Sequence, residues 1–420
     1  MRTLGRREFL TAGALAAGGA LLTSGLAFAR TNTTSRSRVV FVILRGALDG
    51  LAVVPPYGDP AYSGLRRELA LGAPGSAGGA LPLNGFYGLH PSLQFLQESY
   101  TARELLVVHA VASPYRERSH FDGQDVLENG SVKPHALQTG WLNRALATLQ
   151  SGSGASKEMG VALGQNVPLL MRGPAAVTSW SPSKLAALDE ETLDRITDLY
   201  ASDPLLAKRL ADALDANQIA TASDTMTEDG QSGGMSLQEK MTQQDKTKPA
   251  RYVEIVTAAA GFLRREDGPK VAVFDTTGWD THANEGNAQG QLAGRLSALD
   301  GGLRTLKQEL GSVWSQTAVV LATEFGRTAA TNGTRGTDHG TGTAAFLLGG
   351  AVQGGRVLSD WPGLASRSLY QGRDLQPTAD LRSLLKGVLS EHLHVSSAAL
   401  ETSVFPESAT AKPWQGLMRG

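Results

Sequence analysis

The chain contains no cysteine, which excludes disulfides, thiolate zinc sites and a cysteine nucleophile together. Any metal must therefore sit on histidine and carboxylate. A basic stripe is also missing: 39 Lys and Arg are dispersed among 40 Asp and Glu, for a formal net charge of −1, so nothing points to nucleic acid as a partner. No P-loop or internal repeat is present, which removes the nucleotide-loop reading. What remains is an ordinary globular composition. With 41% hydrophobic and 19% charged residues over 420 positions, the chain has enough apolar matter for one large core or two modest ones.

The N-terminus reads as an address. Arg6 and Arg7 precede Glu8, Phe9 and Leu10, then an Ala/Gly/Leu run to Leu26, then Ala27, Phe28 and Ala29 as a small-x-small cleavage site. This is a twin-arginine signal over residues 1–29, and the mature chain is expected to begin near Arg30. The export machinery is an expected partner, the periplasm or exterior the expected location. The run from Thr11 to Ala29 is too weakly apolar to be expected as a lasting membrane span.

Within the mature chain, five apolar runs of strand length stand out: Arg38–Leu44, Leu105–Ala112, Lys270–Phe274, Val319–Ala322 and Ala344–Leu348. Rich in β-branched residues and apolar at nearly every position, they read as strands of a central, mostly parallel sheet buried on both faces. Shorter strands are expected at Val161–Leu163 and Ala175–Val177. Helices are expected at Gly123–Asn129, from Trp141, at Leu193–Leu214, Tyr252–Leu263, Gln291–Leu310 and Ala379–Leu389. Leucines at 292, 296, 299, 303, 306 and 310 alternate steps of four and three, one face of a long helix. Thr221–Lys248 is polar and reads as an exposed insertion. His392 and His394 fall just beyond a helix end, where a positive ring suits the dipole.

Chemistry is concentrated where strands end, which is where open α/β sheets place ligands. The densest loop lies between the last two strong strands, beginning with Glu324 and Arg327 and ending with Asp338 and His339. Glu, Asp and His are hard or borderline metal ligands, and Arg is the usual fork for an oxyanion. After Lys270–Phe274 comes Asp280-x-His282, whose alternate side chains point the same way along extended chain and can share an ion. Asp49, in Arg45-Gly46-Ala47-Leu48-Asp49-Gly50 after the first strand, reads equally as a ligand or as a turn residue. After the second strand come Arg116, Arg118, Ser119, His120 and Asp122. Ser119 or Asp122 suits a helix N-cap, and a hydroxyl there, beside Arg and His, also suits an anionic ester.

Seven segments in order, the twin-arginine leader, LRGALDGL, SHFDGQDVLENG, TGWLNRAL, GWDTHAN, LATEFGRT and GTDHGTG, resemble the bacterial family catalogued as domain of unknown function 1501. That family is grouped with the alkaline phosphatase and sulfatase superfamily. The resemblance implies a single large α/β domain over 30–420, holding one or two divalent ions (Zn, Mn or Ca) beside a Ser, Thr or Cys-derived nucleophile. It implies Ser119 as nucleophile, and Asp49, Asp280, His282, Glu324 and His339 as ligands, with Asp338 an alternative through a shifted alignment. His120 and Arg327 are the expected companions of Ser119, Arg116 or Arg45 being further oxyanion clamps. Phe325 departs from the pattern, standing where a histidine is expected. The expected activity is hydrolysis of small phosphate or sulfate esters. The rival expectation is an exported binding or assembly protein that keeps the fold with a degenerate metal site.

Overall fold

In the computed structural model, residues 36–153, 159–182, 196–197, 199–200, 203–221 and 252–420 are described. The leader at 1–29, and the insertion at 221–248 apart from Thr221, lie outside the described residues. The sheet and its helices belong to the unit Ser37–Gly420.

Among the described residues eleven strands are formed: β1 (Arg38–Arg45), β2 (Leu81–Pro82), β3 (Gly88–Leu89), β4 (Leu105–Ala112), β5 (Gly160–Leu163), β6 (Val177–Trp180), β7 (Val271–Thr277), β8 (Thr317–Ala322), β9 (Thr343–Leu348), β10 (Arg356–Leu358) and β11 (Ala379–Asp380). β2 and β3 make a small separate ladder. The other nine form one sheet in the order β10-β4-β9-β8-β1-β7-β5-β6, with β11 also beside β4. β9 runs antiparallel to both β8 and β4, and the remaining pairs are parallel. The expected α/β architecture, a central and mostly parallel sheet with helices on its faces, is the one found.

β1 shows why both faces must be covered. Val40, Val42 and Leu44 join one core, against Leu292, Leu296, Leu299, Leu303, Leu306 and Leu310 of the Gln291–Leu310 helix. Val39, Phe41 and Ile43 join the other, against Trp141 and the Leu381–Leu393 helix. Side chains alternate along a strand, so a run apolar at every position feeds two cores at once. Each fully buried aliphatic side chain contributes about 1.5–3 kcal/mol. Trp141 meets Phe41 edge-on with ring centroids 5.5 Å apart, and its indole N–H donates to the Leu127 carbonyl at 2.9 Å.

Several boundaries move. The helix expected from Gly123 starts at His120 and ends on Gly130, whose φ of 74° supplies the left-handed cap. β6 lies two residues beyond its expected start. Of the helix expected over 193–214, residues 196–197 and 199–200 are helical and Pro204–Thr221 forms a helix, while 193–195, 198 and 201–202 lie outside the described residues. The Leu381–Leu393 helix is capped by Asp380, which accepts from the Arg382 N–H, and runs long enough to include His392. His392 is buried, bonded through Nε2 to the Arg38 carbonyl, and burial pushes its pKa down. A neutral buried ring gains little from the dipole, which corrects that reading. No helix among the described residues is long and apolar enough to cross a membrane.

Candidate metal centre

All the chemically dense loops meet at one edge of the sheet. β1, β4, β7 and β8 end there, and β9, being antiparallel, begins there. Loop contacts tighten this edge. Gly46, just after β1, donates its N–H to Glu324 Oε1 at 2.8 Å, and it has φ +119°. A Cβ at this position would stand 2.8 Å from the Asp280 backbone nitrogen, so only glycine lets the β1 and β7 loops close on each other.

Three imidazoles converge at this edge. His120 Nε2 lies 2.9 Å from His339 Nε2, and His282 Nε2 lies 3.0 Å from the same atom. The Asp280 carboxylate completes the group: Oδ1 is 3.0 Å from His282 Nε2 and 3.2 Å from His339 Nε2, while Oδ2 is 3.4 Å from His120 Nε2. The far nitrogen of every ring is committed elsewhere. His120 Nδ1 faces Glu324 Oε1 at 2.8 Å, His282 Nδ1 faces Asp338 Oδ1 at 3.2 Å, and His339 Nδ1 faces the Arg118 carbonyl at 3.0 Å. Carboxylates and carbonyls only accept, so each Nδ1 carries a proton, and in the neutral form of each ring the Nε2 lone pair turns inward.

Three lone pairs and a carboxylate aimed at one point repel unless a cation lies among them. That donor set fits a divalent ion. Two ligands about 2.1 Å from an ion are separated by about 3 Å or slightly more, and the outer acceptors are the partners that orient ligating histidines. His120, Asp280 and His339 are the one group among the described residues whose donor atoms meet the spacing for an ion, and His282 adjoins it. With side chains 40% and 45% accessible at Asp280 and His282, the centre is open to solvent on one side.

The electrostatics agree. Burial opposes ionisation of Asp280, but the hydrogen bond and charge of Arg327 override it and hold the carboxyl below its usual range. The Glu324 hydrogen bond raises His120, whereas burial and then the His120 charge lower His339. Asn332, bonded to Asp338 at 3.0 Å, helps keep that carboxyl low.

The structure redistributes the expected roles. Asp280, His282 and His339 come together, as their spacing suggests. His120, expected beside the nucleophile, instead brings its Nε2 to the same point. Phe325 is buried and stacks on the His120 ring at 5.0 Å. Glu324 and Asp338, expected as ligands, sit behind His120 and His282 as their acceptors. Glu324 is wholly buried and also accepts from Gly46, Gln124 and Thr323, which leaves its oxygens occupied. Arg327 is buried, bound to Asp280 and to Thr337, so it braces a carboxylate rather than projecting toward solvent. Arg45 is paired with Glu128 and Asp275, and Arg116 is bound to the Ser113 and Tyr115 carbonyls.

Asp49 is not brought to the centre. Its carboxylate caps the Gly50–Val53 helix through the Leu51 and Ala52 N–H groups and pairs with buried Arg66 at 2.6 Å. Ser119 holds the N-cap position of the His120–Asn129 helix, yet its side chain makes no capping bond. Sequence reasoning overlooked Arg66, Glu285 and Thr337, a buried network beneath the centre. An Arg and a Glu inside helical or loop patterns give no local sign of burial. Arg118 was noted only for its charge, but its backbone has φ +61°, turning its carbonyl toward His339.

Solved structures similar to this chain include a protein in the alkaline phosphatase superfamily from Vibrio parahaemolyticus (12% identity, 75% of this chain and 60% of that one, TM-score 0.31). Others are a sulfatase from Pseudoalteromonas sp. (12%, 76% and 64%, TM-score 0.32) and the phosphonate monoester hydrolase of Agrobacterium radiobacter (10%, 84% and 73%, TM-score 0.31). The chain thus spans less than two thirds of the first two. No curated protein matches it. Residues 104–404 match the family model described as "Protein of unknown function (DUF1501)", and the chain belongs to that family.

Proposed function

We propose that the protein is a metal-dependent hydrolase of phosphate or sulfate esters, exported through the twin-arginine route. The reading is carried by one observation: His120, His282 and His339 turn three Nε2 atoms and Asp280 one carboxylate toward a shared point that solvent reaches. These four side chains would hold the ion. Three imidazole donors suit Zn or Mn better than Ca, which prefers an all-oxygen shell. When bound, the ion supplies Lewis acidity toward an ester oxygen.

The chain's own groups do the rest. Glu324, Asp338 and the Arg118 carbonyl fix the ring tautomers, and Arg327 keeps Asp280 ionised. Ser119, at the head of a ten-residue helix, has a hydroxyl free of capping duty and lies where backbone N–H groups attract an anionic ester. We assign it the attack on phosphorus or sulfur: its Oγ bonds to that atom as the ester P–O or S–O bond breaks, the hydroxyl proton leaves with the departing alcohol, and water then frees the serine by releasing phosphate or sulfate. Arg118 and Arg373 share the single carboxylate of Asp374 beside His339, leaving surplus positive charge at the rim for such a substrate.

A second reading, an exported binding or assembly protein with an ion site and no turnover, is favoured by the lack of any base hydrogen-bonded to the Ser119 hydroxyl among the described residues. Metal analysis of the exported protein and rates on aryl phosphates and sulfates separate the two. The expectation is about one Zn or Mn per chain and turnover that falls on the order of 10³-fold in both His339→Ala and Ser119→Ala. Bound metal with no turnover on any ester of the panel would support the second reading. A metal-free protein after incubation with Zn and Mn defeats the hydrolase reading and favours a binding or assembly protein with a degenerate metal site.

A further inference from the structure

A second feature at the same sheet edge takes no part in the metal centre. Beyond the carboxyl ends of β1, β7, β5 and β6 lies a cleft of about 1310 Å³. Its wall shares two segments with the centre. Phe121 follows His120 on one helix, and the Thr277–Trp279 turn leads into Asp280. The volume exceeds the roughly 300–1,000 Å³ typical of sites for compact ligands, so an extended ligand fits it better.

The lining has a definite chemistry. Among the described residues, Arg172 and Arg295 have no carboxylate partner: Arg172 Nε donates to the Val167 carbonyl at 2.8 Å, and Arg295 reaches only the amide oxygen of Gln291 at 3.4 Å. Arg295 lies across Gly278, where a Cβ would stand 2.7 Å from its Nε, two residues before Asp280. The lining also carries Asp125, Glu128 and Asp275, of which Glu128 and Asp275 pair with Arg45 and Asp125 faces His135 and Asn129, so Arg295 lines the cleft beside the turn that leads to Asp280 without drawing on any of them. Exposed amides of Gln165 and Asn166 and the exposed Thr277 hydroxyl add donors and acceptors. Phe121 is 87% exposed, an unusual place for an aromatic ring on a helix surface unless something stacks on it.

We infer that this cleft binds a polyhydroxylated, anionic ligand, an acidic oligosaccharide, with Arg172 and Arg295 taking its charges and Phe121 supporting a ring face. Guanidinium forks answer sulfate, phosphate or carboxylate groups, amides and a hydroxyl answer sugar hydroxyls, and the single exposed ring answers an apolar sugar face. A nucleic acid would call for more cationic surface than this cleft has. On the hydrolase reading, on which this extension rests, the cleft would hold the organic part of the ester while the ester group meets the centre. Binding itself needs no ion.

The test is a fluorescence-anisotropy titration of the full chain with a labelled sulfated dextran oligomer, a neutral dextran of equal length and polyglutamate, using both chelator-treated and Zn-treated protein. The sulfated oligomer should bind both preparations, with affinity falling as salt rises. The neutral dextran and polyglutamate should each bind at least about ten-fold more weakly, and Arg172→Gln/Arg295→Gln should lose about ten-fold or more against the sulfated oligomer. Phe121→Ala should weaken binding several-fold; circular dichroism establishes that the variants fold. Equal affinity of the double variant and the parent overturns the assignment of the arginines, and equally tight binding of polyglutamate overturns the saccharide class. Because chelator-treated protein is used, loss of the hydrolase reading alone would leave the binding result standing.

Discussion

Two polar clusters lie at the same edge of the sheet, and they solve the same electrostatic problem in opposite ways. In the deeper one, Asp49, Arg66 and Glu285 are all but inaccessible, and Arg66 Nη2 stands 2.6 Å from Asp49 and 3.6 Å from Glu285. The chain supplies its own cation there. Burial and the neighbouring Asp49 charge push Glu285 up to about 8, so the second carboxylate keeps a proton and the network is neutral. In the outer cluster, three inward lone pairs meet Asp280, and Arg327 serves only one side of that carboxylate. Thr337 ties the two together, bonding to Asp49, Glu285 and Arg327. A carboxylate acts as a strut where the fold provides its full counter-charge, and stays available to an ion where the fold provides only part of it.

The sharpest way to break this contrast is to remove the internal cation. Arg66→Met leaves two buried carboxylates without it and should cost about 3–5 kcal/mol of stability by urea unfolding, while Zn content per folded chain stays at the parent value. A variant as stable as the parent would mean that the deep cluster is not held by this charge balance.

A smaller effect is expected when an outer acceptor is altered. Glu324→Gln removes the ionised acceptor behind His120 and should weaken Zn binding about 10–100-fold by competition titration, with little change in the unfolding midpoint of the metal-free protein. If affinity is unchanged, His120 does not donate to the ion.

The contrast also predicts a pH dependence. Glu285 is raised above its ordinary 4.5 to about 8, so between those values the folded chain holds a proton that the unfolded chain has released. Stability should therefore fall as pH rises through that window. Asp49, held low by Arg66 against the opposing effect of its burial, contributes in the opposite sense and loses its stabilisation only in acid. Glu285→Gln should flatten the alkaline fall, which for a shift of this size amounts to several kcal/mol, roughly 3–5, between pH 5 and pH 9. Parallel pH profiles for variant and parent would place the buried proton elsewhere.

The strands were legible because burial on both faces leaves a local trace: RVVFVIL and LLVVHAVA are apolar at nearly every position, and the leucine spacing of 291–310 repeats the turn of a helix. Asp280, His282 and His339 were legible for a different reason, since acids and imidazoles after strands fall at one sheet edge whatever the details. Roles were harder to read. Asp49 and Asp280 both follow central strands and are chemically identical, yet one faces Arg66, seventeen positions along the chain, and the other faces His339, fifty-nine positions along.

The amino-acid order alone thus determined the sheet, its covered faces and the edge where chemistry collects, because periodicity and turn residues act between near neighbours. Tertiary structure decided which groups face the shared point, which brace them and which were neutralised within the core. A side chain's charge is set by whatever lies within a few ångströms, and at this edge those neighbours come from five separate segments.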